Sequence, residues 1–189
     1  ANDEPVVWID CEDTFKPRRL KEIMLARELA TEENVDEKLS NVKYYYTPNT
    51  EQLLGTVDSL SKLMLEIHPR IVILDGAIGQ FREEYLGRGT LSERQNQIAR
   101  LMTHIKNISF YFRCVVLFTN QVQSDPSVMF GDPVKPIGGN IVAHASTYRV
   151  YLKKSGKKRI ARMVDSPEHE QKDASYQLTV KGIEDAEKA

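Results

Sequence analysis

The sequence predicts an α/β fold, a mostly parallel sheet flanked by helices and followed by a C-terminal antiparallel β extension. Three observations carry that prediction. Short continuous apolar runs alternate with stretches of helical periodicity over residues 6–121, the pattern of a parallel sheet covered on both faces. Three of those runs end in polar side chains. Beyond residue 145 the runs alternate apolar and polar instead, as half-buried antiparallel strands do.

The elements follow in order. VVWID (6–10) reads as a strand, so the chain is in a strong strand almost from its first residues, as though entered mid-fold. A helix comes next, with Asp13 or Thr14 as cap, Pro17 in its first turn and Leu20, Ile23 and Met24 on one face. VKYYY (42–46) is a second strand, whose three tyrosines suit a sheet. Asn49 with Gln52 resembles a capping box, and Leu53, Val57, Leu60, Met64 and Ile67 then form one helical stripe. IVILDG (71–76) is the third strand. Thr90 and Glu93 make another T-x-x-E start for a helix carrying Ile98, Leu101, Met102, Ile105 and Ile108. CVVLFTNQ (114–121) is the fourth strand. Residues 123–140 hold three prolines and three glycines without periodicity and read as a long loop. TYRVYLKK, RIARMVDS and SYQLTVKG then read as a hairpin, turned at KSGKK, and a third strand.

The bulk numbers exclude more than they assign. With 189 residues, 41% of them hydrophobic, the chain suits a single compact domain, residues 1–189. There is no run of 18 apolar residues to span a membrane, and ANDEPVVWID has no basic n-region or long apolar stretch of a secretory signal. A net charge of −1 from 26 basic and 27 acidic residues leaves any basic surface a local one. Cys11 and Cys114 sit in apolar runs and read as buried reduced thiols. The four histidines have no ligand-like spacing.

The chemistry concentrates at the strand ends. Glu12 follows the first strand, Asp75 ends the third, and Asn120 and Gln121 follow the fourth. Ligands of open parallel sheets bind beyond these carboxyl ends. Asp75 has the chemistry to hold Mg²⁺ through water, Glu12 to orient and deprotonate an attacking water, and Gln121 to sense a γ-phosphate with an amide that both donates and accepts. The plain alternative is that polar residues simply mark strand ends. No G-x-x-x-x-G-K-[ST] phosphate loop occurs: Gly156-Lys157 is followed by Lys158 in a hairpin turn, and Gly87-Arg88-Gly89 lacks a third glycine at dinucleotide spacing.

A second candidate surface is a pair of loops. FREEYLGRG (81–89) carries Arg82, Tyr85 and Arg88, and the loop of 124–139 carries Phe130 and Lys135. Arginine, aromatic and glycine mixtures suit single-stranded polynucleotide, whose bases stack for about 1–3 kcal/mol each. Solvated loops with incidental arginines are the alternative, and Glu83 and Glu84 weaken the electrostatic case. The basic turn KKSGKKR (153–159) could touch phosphates or simply be solvated.

In combination, VVWIDCEDTFKPRR, IVILDGAIGQFREEYLGRGTLSERQ, LFTNQV, FGDPVKPIGGNIVAHASTYRVYLKK and RIARMVDSP resemble the ATPase core of the archaeal RadA-type and eukaryotic RecA-like recombinases over nearly the whole chain. The resemblance implies a RecA-like P-loop ATPase core with its first strand and phosphate loop lying before residue 1. It implies a DNA repair and recombination protein that, with ATP and Mg²⁺, forms filaments on single-stranded DNA and pairs and exchanges strands with double-stranded DNA. It further implies self-association, recombination mediators as partners, and a cytoplasmic or nucleoid location in an archaeon or a nuclear one in a eukaryote. Carried over, Glu12 matches the water-activating glutamate, Asp75 the magnesium-site aspartate and Gln121 the glutamine coupling γ-phosphate to DNA. Arg19 matches the arginine stacked on adenine, with Asn120 at the nucleotide. Asp165 and Pro167 match the segment capping ATP on a neighbouring subunit. Arg82, Tyr85, Arg88 and Arg94 match the first DNA loop and its flank, and Gly138 and Gly139 close the second, 122–139.

The departures are Gly76 where the family carries a small hydroxylated residue, FKPRR for FRPER, EHEQ after DSP in place of x-L-P-E, and a second DNA loop shorter than in eukaryotic members. A catalytically inactive paralogue, or a module that binds DNA or a recombinase, is the alternative reading.

Overall fold

The computed structural model describes residues 4–124, 134–156 and 158–186, apart from the side chain of Arg88. Its contacts divide these into two compact units, residues to Phe15 with Ser40–Ala145, and Lys16–Leu39 with Ser146–Ala189.

The first unit is built on a four-stranded parallel sheet of order β2-β1-β3-β4, with β1 at Val6–Asp10, β2 at Val42–Tyr46, β3 at Ile71–Asp75 and β4 at Val115–Phe118. Helices α3 (Thr50–Ile67), α4 (Ala77–Glu84) and α5 (Leu91–Phe112) follow β2 and β3. Val7, Ile9, Val72 and Leu74 point to one face and are fully buried in a cluster with Leu53, Val57, Leu60 and Met64 of α3, Ile78 and Phe81 of α4, and Ile98 and Leu101 of α5. The expected helical stripes are therefore the core. The other face departs from expectation. Register aligns Val6, Ile71 and Val115, then Trp8, Ile73 and Leu117, and Val115 and Leu117 stand 61% and 46% exposed. Continuous apolar runs predict burial on both faces; here, at β4, only one is well covered.

Caps were read less well than stripes. Asn49 caps α3 as expected, its side chain accepting from Gln52 N at 2.9 Å. Thr90 occupies the N-cap of α5 but makes no capping bond, because its hydroxyl donates backward to Leu86 O at 2.8 Å and Gly87 O at 3.2 Å. The segment 81–84, expected in a loop, is the last turn of α4, with Phe81 fully buried. The expected long loop contains a short antiparallel pair, β5 (Val122–Ser124) with β6 (Val134–Pro136), and leads into α6 (Gly139–Ala145). Its residues 125–133, Phe130 among them, lie outside the described residues.

The second unit holds α1 (Pro17–Ala26), α2 (Val35–Leu39) and an antiparallel sheet of order β10-β9-β8-β7. Its strands are β7 (Arg149–Ser155), β8 (Lys158–Asp165), β9 (Asp173–Thr179) and β10 (Gly182–Asp185), the last a strand beyond the three expected. Pro17 does sit in the first turn of α1, but the N-cap is Lys16, not Asp13 or Thr14, and it makes no side-chain capping bond. Proline at N1 removes one of the unsatisfied N–H groups a cap would serve. No residue of α1 is buried. Its Arg27 instead donates from Nη2 to Ile183 O at 2.7 Å.

Candidate functional site

The strand ends of the first unit assemble a polar site from the backbone outward. Asp10 and Asp75 are register partners on β1 and β3. Asp10 is fully buried. Its Oδ1 accepts from Glu12 N at 3.0 Å, and its Oδ2 from Phe15 N at 2.9 Å and Tyr44 Oη at 3.2 Å. Burial pushes this carboxyl up, but the N–H groups of Phe15, Glu12 and Thr14 and the Tyr44 hydroxyl outweigh it and hold it below the usual carboxylate range. Phe15 is also clamped between Trp8 and Tyr44, at ring-centroid distances of 4.7 and 5.2 Å. The loop bearing Glu12 is thus fixed at both ends.

Asp75 is held differently. Thr119 Oγ1 donates to its Oδ1 at 2.6 Å and Thr14 Oγ1 to its Oδ2 at 3.3 Å, while Gly76 N donates to Thr119 Oγ1 at 2.8 Å. Glu12 Oε1 accepts from Gln121 Nε2 at 2.8 Å. Asn120 Nδ2 donates to Ile137 O at 2.8 Å, and Ile137 N to Gln121 O at 3.0 Å, so the segment after β4 is tied to the strand β6 that precedes α6. Asn120 Oδ1 is buried without a partner among the described residues. Cys11 lies beneath, its thiol 3.3 Å from Thr47 Oγ1 and pushed up to about 11, first by burial and then by the neighbouring Asp10, Asp75 and Glu12. It stays protonated and unreactive.

Four of the expected residues, Glu12, Asp75, Asn120 and Gln121, therefore lie at the carboxyl ends of three adjacent strands. Sequence reasoning missed Asp10, Thr14, Thr119 and Gln80. Gln80 is buried in α4 and donates to Cys11 O at 3.1 Å and to Thr47 O. Asp10 and Thr119 were legible as polar ends of apolar runs; Thr14 was read as a helix cap, and Gln80 left no local signal.

The expected DNA-loop residues of this unit are distributed over α4 and α5. Arg82 is exposed in the last turn of α4, Tyr85 follows as its C-cap and stacks on Phe81 at 6.4 Å, and Arg94 lies in the first turn of α5. Arg88 begins a 3₁₀ turn over Arg88–Thr90. Gly138 has φ +88, and a Cβ there would clash with Val142 and crowd Ile78, so glycine is required. Gly139, φ +60, opens α6.

The second unit holds the remaining expected residues. Arg19 donates from Nη1 to Val180 O at 3.3 Å and from Nη2 to Thr179 O, bracing the β9–β10 turn. Asp165 ends β8 and accepts from Arg149 Nη2 at 2.7 Å, and Pro167 is exposed in the bend that follows. Among the described residues no His, Cys, Asp and Glu cluster forms a metal-ligand set by itself. No described helix is long and apolar enough to cross a membrane.

The sequence model of the Rad51 family matches residues 2–186. This chain belongs to that family. It is similar to proteins named DNA repair and recombination protein RadA. One is from Cenarchaeum symbiosum, 39% identical over 183 residues, covering 96% of this chain and 45% of the relative. Another is from Methanocorpusculum labreanum, 39% identical over 189 residues, covering 94% of this chain and 57% of the relative. The chain spans about half the length of the curated relatives it matches. The mixed α/β architecture, a parallel sheet flanked by helices with an antiparallel sheet after it, agrees with the expected RecA-like class.

Proposed function

We propose that this Rad51-family chain carries the hydrolytic and metal-side wall of the ATP site of a DNA repair recombinase, which assembles on single-stranded DNA and exchanges strands with a homologous duplex. The observation that carries the reading is the convergence of Glu12, Asp75 and Gln121 at the carboxyl ends of β1, β3 and β4, where ligands of parallel sheets bind. The names of the RadA relatives support the biological setting.

The donor set fits a hydrated magnesium ion. Asp75, with Thr14 and Thr119 bonded to its two carboxylate oxygens, offers oxygen atoms alone, which suits a hard cation that keeps most of its waters. Magnesium-bound ATP would supply the transferable phosphoryl group and neutralise its charge. In this reading Asp75 would hold the ion through water, Glu12 would take a proton from the attacking water, and Gln121 would donate to the terminal phosphate. Arg19 stacks on adenine, and Asp165 and Pro167 cap ATP on the adjacent subunit. Arg82, Tyr85, Arg88 and Arg94, with the segment closed by Gly138 and Gly139, contact DNA. Residues 1–189 themselves contain no G-x-x-x-x-G-K-[ST] phosphate loop. β4 is an outer strand of the four-stranded sheet among the described residues, and an open strand edge invites a further strand.

A second reading, a catalytically inactive paralogue, draws on Gly76 and the EHEQ segment. Binding of the full-length protein to single-stranded DNA, with and without ATP, tests the proposal. ATP-dependent binding that weakens by about 10³-fold or more between 50 and 200 mM salt is expected for a protein making several phosphate contacts. An absence of DNA binding with ATP present would contradict it.

A further inference from the structure

The backbone that carries Glu12 is held from two sides. Glu12 N donates to Asp10 Oδ1 at 3.0 Å, and the carbonyl of the same peptide unit, Cys11 O, accepts from Gln80 Nε2 at 3.1 Å. The peptide plane directly before Glu12 is therefore pinned at both ends, by a carboxylate of β1 and an amide of α4. The same Gln80 nitrogen also donates to Thr47 O. Both carbonyls lie just past the last register pair of β1 and β2, Asp10 with Tyr46. Thr47 N still reaches Asp10 O at 2.9 Å, and Cys11 N reaches Asp75 O at 2.9 Å. From there the chain leaves the sheet, and the two carbonyls need donors from elsewhere. A primary amide is the uncharged side-chain group with two N–H donors on one nitrogen. Gln80 is 7% exposed, and its own Oε1 is buried with no partner among the described residues. A side chain present only to fill space would not carry that cost; the amide is there for its donors.

We propose that Gln80 is a positioning residue for hydrolysis: by holding the Cys11 carbonyl it sets the orientation of the Cys11–Glu12 peptide, and with it the place from which the Glu12 carboxylate meets water. The inference rests on Glu12 being the water-activating base. Gln80 is buried, so it acts through the backbone of Glu12 and not on the ligand. Its loss therefore falls on the chemical step and spares nucleotide binding.

The test is single-turnover ATP hydrolysis by the full-length protein, with nucleotide affinity measured on the same samples. Gln80→Met keeps the length of the side chain and removes both donors. The expected result is a rate per bound nucleotide lowered by about 10²-fold, the effect of displacing a reacting group by about 1 Å, with nucleotide affinity within about twofold of native. A packing role predicts a native rate. A general loss of folded structure predicts that rate and affinity fall together. Either result overturns the proposal. If Gln80→Met does not fold, Gln80→Asn takes its place: it keeps the amide but draws it back by one methylene, and it should be slowed in the same way. Hydrogen exchange read by mass spectrometry supplies an arm independent of activity. In the variant, a peptide spanning residues 11–15 should exchange about tenfold faster than in the native protein, while one from the core of α5 stays unchanged. Unchanged exchange over residues 11–15 also overturns the proposal. Glu12→Gln separates this inference from the reading beneath it. A slow Glu12→Gln protein beside a native-rate Gln80→Met protein leaves the base in place and removes only the role of Gln80. Hydrolysis by Glu12→Gln at the native rate, or none by the native protein, sinks the base assignment, and the exchange arm alone then decides whether Gln80 holds the loop.

Discussion

The carboxylates at the ends of β1 and β3 and those of the C-terminal sheet carry the same charge and are satisfied in opposite ways. Asp10 is fully buried and takes backbone N–H groups and a phenol; Asp75 takes two threonine hydroxyls. Asp165 and Asp173 pair with Arg149 and Arg162 across exposed strands. Among the described residues the first arrangement pairs neither carboxylate with a cation, at the place where a metal–phosphate ligand would bring one. The second neutralises each acid on the spot. Charge left open marks a site, and charge closed on itself marks a surface.

Breaking the first arrangement should cost most. Asp10→Ala leaves three buried or half-buried donors without their acceptor, and about 2–4 kcal/mol of stability should be lost in urea denaturation. A loss under 1 kcal/mol would mean that the loop holding Glu12 is fixed by its aromatic clamp instead. Acid sharpens the same point. Because the folded Asp10 carboxyl lies below its ordinary value, its contribution is present above the unfolded value of about 4 and is lost as pH falls through the lower folded value. Asp10→Asn should flatten that part of the acid denaturation curve. Cys11 provides a smaller effect of the opposite sign. Its thiol, pushed up to about 11, adds stability below the ordinary thiol range that fades as pH rises toward 11, and the native protein should resist alkylation at pH 8 while the unfolded chain reacts. Smallest of all, Arg149→Ala should change stability by no more than about 1 kcal/mol, since an exposed pair is worth little. A larger loss would show that the C-terminal sheet depends on its ion pairs after all.

The same contrast governs how much was legible in the sequence. The placement of Glu12, Asp75 and Gln121 at the ends of strands was readable because an apolar run stopping at a polar group is a local signal. The helical stripes of α3 and α5 were readable for the same reason. Residues whose role needs a distant partner were not. Thr14 reads as a cap locally but bonds Asp75, 61 positions away. Thr90 reads as a capping residue but turns back to Leu86. Gln80 reads as an ordinary helix polar residue and instead joins the loops after β1 and β2. The exposed row at β4 could not be foreseen, because a continuous apolar run predicts burial without saying what supplies it.

The central claim is that the strand-end cluster is a hydrolytic ATP site with Glu12 as its base. Single-turnover hydrolysis of ATP by the full-length protein carrying Glu12→Gln tests it most directly. The account predicts a rate lowered by about 10²–10⁴-fold, the usual worth of a positioned general base, with nucleotide affinity retained. A Glu12→Gln protein that hydrolyses ATP at the native rate would contradict it.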